Sequence, residues 1–177
     1  MASPCWEDPG LNDSRQEQMR RPIEGRMRLM VRSASGDLVA ERQARNLVLR
    51  SGASVIASLF AGGPDAAPIN AVGVGFAQEA ATPETTSLTP PEDGNIPPEA
   101  LRTALTPDSF QIVTDLPNAV RVSIQAVFKP TVELAGVTEA GLLAADKLYN
   151  QVVFEPVTLR PGQDVTFFWE VDFPFGH

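Results

Sequence analysis

The sequence predicts a mainly β protein: a jelly-roll-like β-sandwich with one short helix and long loops. Three observations predict it. Apolar and polar residues alternate over several runs, most clearly at Val120, Val122, Ile124, Ala126 and Phe128, which is the period of a half-buried strand. Gly and Pro, 13 and 16 of 177 residues, bound these runs at the short spacing of sandwich folds. Only residues 52–60 space their apolar side chains for a convincing helix. The length suits one domain with a sizeable core. Residues 1–25 read as an extended arm, and residues 26–177 as the sandwich domain with a Pro/Thr-rich loop at 77–107.

Taken in order, the arm mixes charge, Pro and Gly without apolar periodicity, so by itself it cannot offset the entropy of ordering. Trp6, Leu11 and Ile23 are its apolar anchors, and Arg20 and Arg21 its basic contacts. The sequence leaves open whether the arm folds onto its own domain or grips a neighbour. Met27, Leu29 and Val31 alternate with arginines, and Ser35-Gly36-Asp37 supplies a turn, so residues 27–42 read as a hairpin. Asn46, Leu47, Val48 and Leu49 follow it. Ser51 is the expected cap of the helix over 52–60. Val55, Ile56, Leu59 and Phe60 form its apolar stripe, and Gly62-Gly63-Pro64 ends it.

Residues 69–76 read as a strand whose glycines permit close backbone approach. Their Gly-x-Gly opens no helix and so is poor evidence for a dinucleotide site. The loop at 77–107 is stiffened by Pro90-Pro91 and Pro97-Pro98, with a helical turn or two expected at 99–105. Phe110, Ile112 and Thr114 share a strand face, and Val120 to Phe128 form a long regular strand ended by Lys129-Pro130. Residues 138–150 read as a compact, turn-rich link, followed by a strand over Val152, Phe154 and Val157 that Pro156 breaks. After a turn at 160–163, an aromatic strand closes the chain, with Phe167, Trp169, Val171 and Phe173 inward.

The formal net charge is −8, distributed unevenly. Residues 1–50 hold 9 Lys+Arg and 7 Asp+Glu, giving +2; the remainder holds 5 and 15, giving −10. An acidic body repels phosphate backbones, so no nucleic-acid partner is expected. No apolar run reaches about 18 residues, so no membrane span is expected, and the N-terminus lacks the pattern of a secretory signal. The basic stretch Arg20-Arg21, Arg26, Arg28, Arg32 reads as a solvated face or as an arm that docks on an acidic neighbour.

The chemistry-bearing residues form no expected catalytic set. The single Cys5 and single His177 leave a nucleophile-base pair dependent on the last residue. Glu92-Asp93 and Glu170 with Asp172 are the candidate carboxylates for a metal, and a solvated acidic strand edge accounts for them better; acids alone leave a glycosidase pair open, and such acids occur in any soluble protein. Neither a phosphate-binding G-x-x-x-x-G-K-[ST] run nor H-E-x-x-H occurs. The expectation is a non-enzyme with no cofactor and no metal. Exposed aromatics such as Trp6 or Trp169 leave one alternative, a carbohydrate- or receptor-binding module.

Several phrases, in order, carry a resemblance: Asn46-Leu47-Val48 with Gly52 and the following helix; Ile69 with Val72-Gly73-Val74-Gly75; Ala81-Thr82-Pro83-Glu84-Thr85-Thr86-Ser87-Leu88; Glu139-Ala140-Gly141-Leu142-Leu143; Leu148-Tyr149-Asn150-Gln151-Val152-Val153-Phe154; and the closing strand at 167–173. Over roughly residues 28–173 the chain resembles a group of small virion structural proteins of tailed bacteriophages, associated with tail, baseplate or fibre. Glu84 stands where that pattern prefers Asp, and Gln151 where it often has Arg. The resemblance implies assembly with other virion proteins and with copies of itself in a ring or trimer, and a place in a virion assembled in the host cytoplasm. Capsid decoration and neck proteins are its alternative positions. It transfers no catalytic residue. Glu139 is expected to cap a turn or accept backbone N–H groups, and Asn150 to close a local turn.

Overall fold

The computed structural model of the chain describes residues 23–62, 66–92 and 94–175. The alternation of Met27, Leu29 and Val31 becomes strand β1 (Glu24–Arg32), with those three side chains buried and the arginines on the opposite face. Three of the five arginines read as one basic stretch, Arg26, Arg28 and Arg32, therefore belong to the body. Strand β2 (Leu38–Val48) pairs antiparallel with β1, so Asn46 to Val48 continue the hairpin rather than follow it.

Helix α1 (Arg50–Ala61) begins two residues earlier than expected, and its N-cap is Leu49. The Ser51 hydroxyl is committed elsewhere: it donates to the Leu148 carbonyl at 2.5 Å. Val55 is buried and Ile56 partly buried, but Phe60 is 89% exposed. The apolar stripe is thus only half used, and its end projects from the body. At Gly62 the backbone turns left-handed and ends the helix.

Strand β3 (Ala71–Gly75) is buried throughout. Of the expected helix at 99–105, only a 3₁₀ turn, Pro98–Leu101, forms. The chain then extends as strand β4 (Arg102–Ala104), where pairing with β3 outweighs weak local propensity. Edge strand β5 (Phe110–Val113) precedes β6 (Ala119–Phe128). Because β5 is an edge, Ile112 is 66% exposed although it shares a face with Phe110.

The largest correction concerns residues 138–150. They are no link but the facing halves of two long strands, β7 (Leu134–Ala144) and β8 (Lys147–Leu159). Ala144 pairs with Lys147 across a two-residue turn in which Ala145 takes φ 53°. The near-continuous run of small and apolar residues showed no alternation because both faces of this hairpin are covered. Pro156 does not break β8. The β7–β8 register shifts there, from Glu139 opposite Val153 to Val137 opposite Val157. The local irregularity accommodates a residue without an N–H donor. Asn150 lies inside β8, where its Oδ1 accepts the Leu142 N–H at 3.0 Å, rather than closing a turn at a strand start.

Strand β9 (Asp164–Pro174) places Val165, Phe167, Trp169 and Val171 inward, with Phe173 partly buried. Phe128 meets Phe167 edge-on at 6.5 Å, and Phe167 stacks with Trp169 at 6.3 Å. Truncating an aromatic this deeply buried costs about 3–5 kcal/mol.

The nine strands form one antiparallel sheet in the order β4-β3-β7-β8-β2-β1-β9-β6-β5, curled into a half-barrel around a single core. Strand β2 is its seam. It pairs with β1 along its length, but with β8 only at Leu47 and Val48. Beyond that point the strands part, and the Arg42 guanidinium spans the gap to the Glu155 and Pro156 carbonyls at 3.0 and 2.9 Å.

Tyr149, the only tyrosine of the chain, is buried among these strands, and burial pushes its hydroxyl from 10.0 up to about 12. The neutral phenol is favoured by folding, so its contribution is complete below about pH 10 and lost as pH rises through about 12. Absorbance titration near 295 nm should show one transition about two units above that of the urea-unfolded chain. A transition near pH 10 with the fold intact would place Tyr149 in water.

Candidate functional site

Of the phrases singled out in the sequence, all but the closing strand at 167–173 meet at one place although they lie up to about a hundred residues apart. Helix α1 packs on β8. A Cβ on Gly52 would stand 2.9 Å from the Tyr149 ring and closer still to the Tyr149 carbonyl carbon, so the helix can lie this close only with glycine there. The Leu49 N–H donates to the Tyr149 carbonyl at 3.2 Å. The Arg50 N–H donates to the Pro83 carbonyl at 2.9 Å, and the Arg50 side chain pairs with Glu84 at 3.1 Å. Helix start, Thr-rich loop and β8 are thereby tied together.

The loop after β3 lies on the outer face of β3 and β7. Leu88 packs where Gly73 leaves room: a Cβ there would come within 2.6 Å of Leu88 Cδ1. The same leucine reaches Gly141 on β7. The loop is closed by the Phe76 N–H donating to the Thr89 carbonyl at 3.1 Å, and the Thr138 hydroxyl donates to the Ala77 carbonyl at 2.7 Å. Thr82 and Thr85 bond to each other's backbone, so this segment satisfies its polar groups locally.

Glu139 is the centre of this arrangement. It is 0% exposed. Its carboxylate accepts the Thr89 N–H on one oxygen and the Gln151 side-chain amide on the other. The expectation that Glu139 accepts a backbone N–H thus holds, although it does so from a strand and not from a turn. Gln151 supplies a neutral donor.

The other half of the sheet is dressed differently. On its outer face Glu170 and Asp172 of β9 lie between Arg26 of β1 and Arg121 of β6. Arg121 holds Asp172 in a two-pronged bond at 2.6 and 2.9 Å and reaches Glu170 at 3.3 Å. Arg26 pairs with Glu170 at 2.6 Å. The Arg121 hydrogen bonds hold the Asp172 carboxyl below the usual carboxylate range, with the Arg121 and Arg26 charges adding to the effect. These acids, read as candidate metal or glycosidase carboxylates, are neutralised by arginines. Among the described residues no three His, Cys, Asp or Glu side chains converge on a point.

Beside this cluster the sheet twists into an open trough of about 990 Å³. One row across it runs Gln43, Arg28, Phe168, Gln125 on four adjacent strands. Arg26 and Arg45 flank it, and Asp108 and Gln111 stand at the far side. A second groove of about 460 Å³, lined by Ile23, Glu24 and Asn46, shares Arg26, Arg45 and Glu170 with the trough.

Of the residues expected to contact partners, Ile23 is partly buried and packs against the core just ahead of β1. Trp6, Leu11, Arg20 and Arg21 lie outside the described residues, as do Cys5, Asp93 and His177. Trp169 is 1% exposed and unavailable for stacking on a sugar; its neighbour Phe168 faces the trough instead. The signal for the trough was present in the alternation of β9, which puts Phe168, Glu170 and Asp172 on one face. No protein-family model, curated protein or solved structure matches the chain.

Two measurements follow from this geometry. Glu139→Leu strands the Thr89 N–H and the Gln151 amide and should cost about 2–4 kcal/mol, read from urea unfolding, with the 77–97 loop newly open to protease. Glu139→Gln, which keeps an acceptor, should retain most of that stability; equal loss in both variants would mean that charge and not hydrogen bonding is what matters. Arg121→Gln should lower stability at neutral pH by on the order of 1 kcal/mol. Because the folded pKa of Asp172 is depressed, this contribution exists above its ordinary value and fades as pH falls through the folded one. The gap in thermal midpoint between wild type and variant should therefore narrow on acidification towards pH 2; a constant gap would remove Asp172 from the account.

Proposed function

We propose that the chain is a structural component of a tailed-phage virion, placed in the tail or baseplate, and that it acts by protein–protein assembly rather than catalysis. The observation that carries this reading is the convergence around Glu139. Pieces of the phage-like pattern spread over the chain pack into one unit whose contacts are helix on strand, loop on sheet and carboxylate on amide. A pattern so used serves to hold a loop and a helix on a sheet. In this reading the strands from β5 to β2 and those from β8 to β4, whose ladders meet only at Leu47 and Val48 among the described residues, are the two layers of a jelly-roll-like sandwich.

Two further features support an assembly role. Phe60 and Ile112 project as apolar knobs on different elements, in keeping with surfaces that neighbours cover. Residues 1–22, with Trp6, Leu11, Arg20 and Arg21, supply the gripping arm, whereas Ile23 packs on its own body, and closed cyclic symmetry repeats the same contact around a ring or trimer. Tail or baseplate is preferred over neck or capsid decoration because the phrases resemble those components most. The glycan-binding alternative is the weaker one, since Trp169 is in the core.

Sedimentation velocity of the full chain across the micromolar range should show a closed oligomer whose population grows with concentration, with residues 1–25 gaining protection from protease as it forms. A strictly monomeric species, with an arm digested whatever the concentration or partner, would overturn the reading.

A further inference from the structure

The two halves of the sheet differ in what covers their outer faces. Helix α1 and the loop after β3 cover β8, β7 and β3. Over β1, β9 and β6 no element of the described residues lies, and the trough opens there. Its floor holds Phe168 and Met30, both only partly buried. Arg26, Arg28 and Arg45 line one side. Arg26 and Arg28 are engaged by Glu170 and Glu41, whereas Arg45 has no carboxylate within 4 Å among the described residues. The trough thus sets one unengaged arginine beside an apolar floor, with Asp108 and Glu170 also in its lining.

We propose that this trough receives residues 1–14 of a second copy of the chain. The proposal rests on the assembly reading and names the surface that the arm grips. Residues 1–14 carry Glu7, Asp8 and Asp13 and no Lys or Arg, a side-chain charge of −3, which complements Arg45, the arginine of the trough that no carboxylate of the described residues engages. Trp6 and Leu11 are the apolar residues of that segment, suited to Phe168 and Met30. Where the described chain begins also fits. Ile23 and Glu24 line the second groove, and that groove runs into the trough through Arg26 and Arg45, so an arm leaving one copy starts beside the surface its counterpart fills. Twenty-two residues precede Ile23, enough chain to reach up to about 70 Å when extended. The charge logic thereby reverses the expectation from sequence: the acidic tip of the arm meets basic residues of the body, rather than a basic arm meeting acidic ones.

The chain's single cysteine, Cys5, adjoins Trp6 and gives the test a unique handle. Full-length protein is labelled at Cys5 with a photo-reactive benzophenone, and isotopically heavy and light preparations are mixed before illumination. Cross-links from the arm of one isotope to β1 or β9 of the other, at Met30 or Phe168, are the expected result. Arg45→Glu, an exposed change away from the core, should lower their yield roughly tenfold with the circular dichroism spectrum unchanged. Cross-links confined to one isotope would show the arm on its own body and overturn the proposal. So would links to any other surface, or a yield indifferent to Arg45→Glu. If sedimentation still shows an oligomer in those cases, the assembly reading survives and only this contact is wrong; a monomer would end both.

Discussion

A buried carboxylate with neutral partners organises the covered half of this protein. Taking Glu139 out of water is expensive, and only donors fixed in place can compensate it. The Thr89 N–H and the Gln151 amide do so from opposite sides. One donor belongs to a loop and the other to a strand, so the carboxylate fastens the loop to the sheet. Once Thr89 is held, Leu88 is directed onto Gly73 and Gly141, and the loop becomes a cover for β3 and β7. The absence of side chains at those glycines is the complementary half of the same device. Gly52 repeats the logic for helix α1, which reaches the β8 backbone because nothing stands between them.

The second half is held by charge at the surface. Arg26 and Arg121 enclose Glu170 and Asp172 from neighbouring strands. These pairs contribute less each than buried contacts do, and salt screens them. In the observed register opposite charges stand across β1, β9 and β6, with Arg26 opposite Glu170 and Arg121 opposite Asp172. The two halves thus solve one problem by different means. Where the outer face is covered, the fixing group is buried and nearly uncharged neighbours surround it. Where the face is open, the fixing groups are charged and wet.

Strand β2 lets both solutions coexist in one sheet. It pairs with β1 between Leu38 and Asn46 and with β8 at Leu47 and Val48. The parting of β2 from β8 gives Pro156 a place, and Arg42 occupies the carbonyls that the missing ladder would have used. The sheet can therefore curl around a single core while its two outer faces diverge in character, one dressed by its own chain and one open.

The alternating strands were legible in the sequence because each buries one face: β1, β6 and β9 show period two, and their inward residues are the core. So were the helix, its end at Gly62, and the close approach at Gly73. The β7–β8 hairpin was not, because Glu139, Gly141 and Leu143 are covered on the side that an ordinary strand exposes, and alternation disappears when both faces are dry. Pro156 read as a break for the same reason: whether a proline ends a strand depends on whether its neighbour strand is still in register. The sequence by itself determined which residues are apolar, where turns fall, and that acids and arginines share a strand face. Only the tertiary structure decided that a lone glutamate would be buried and that the face carrying Phe168 would be left open as a trough. These are outcomes of long-range pairing, and long-range pairing leaves no local periodicity to read.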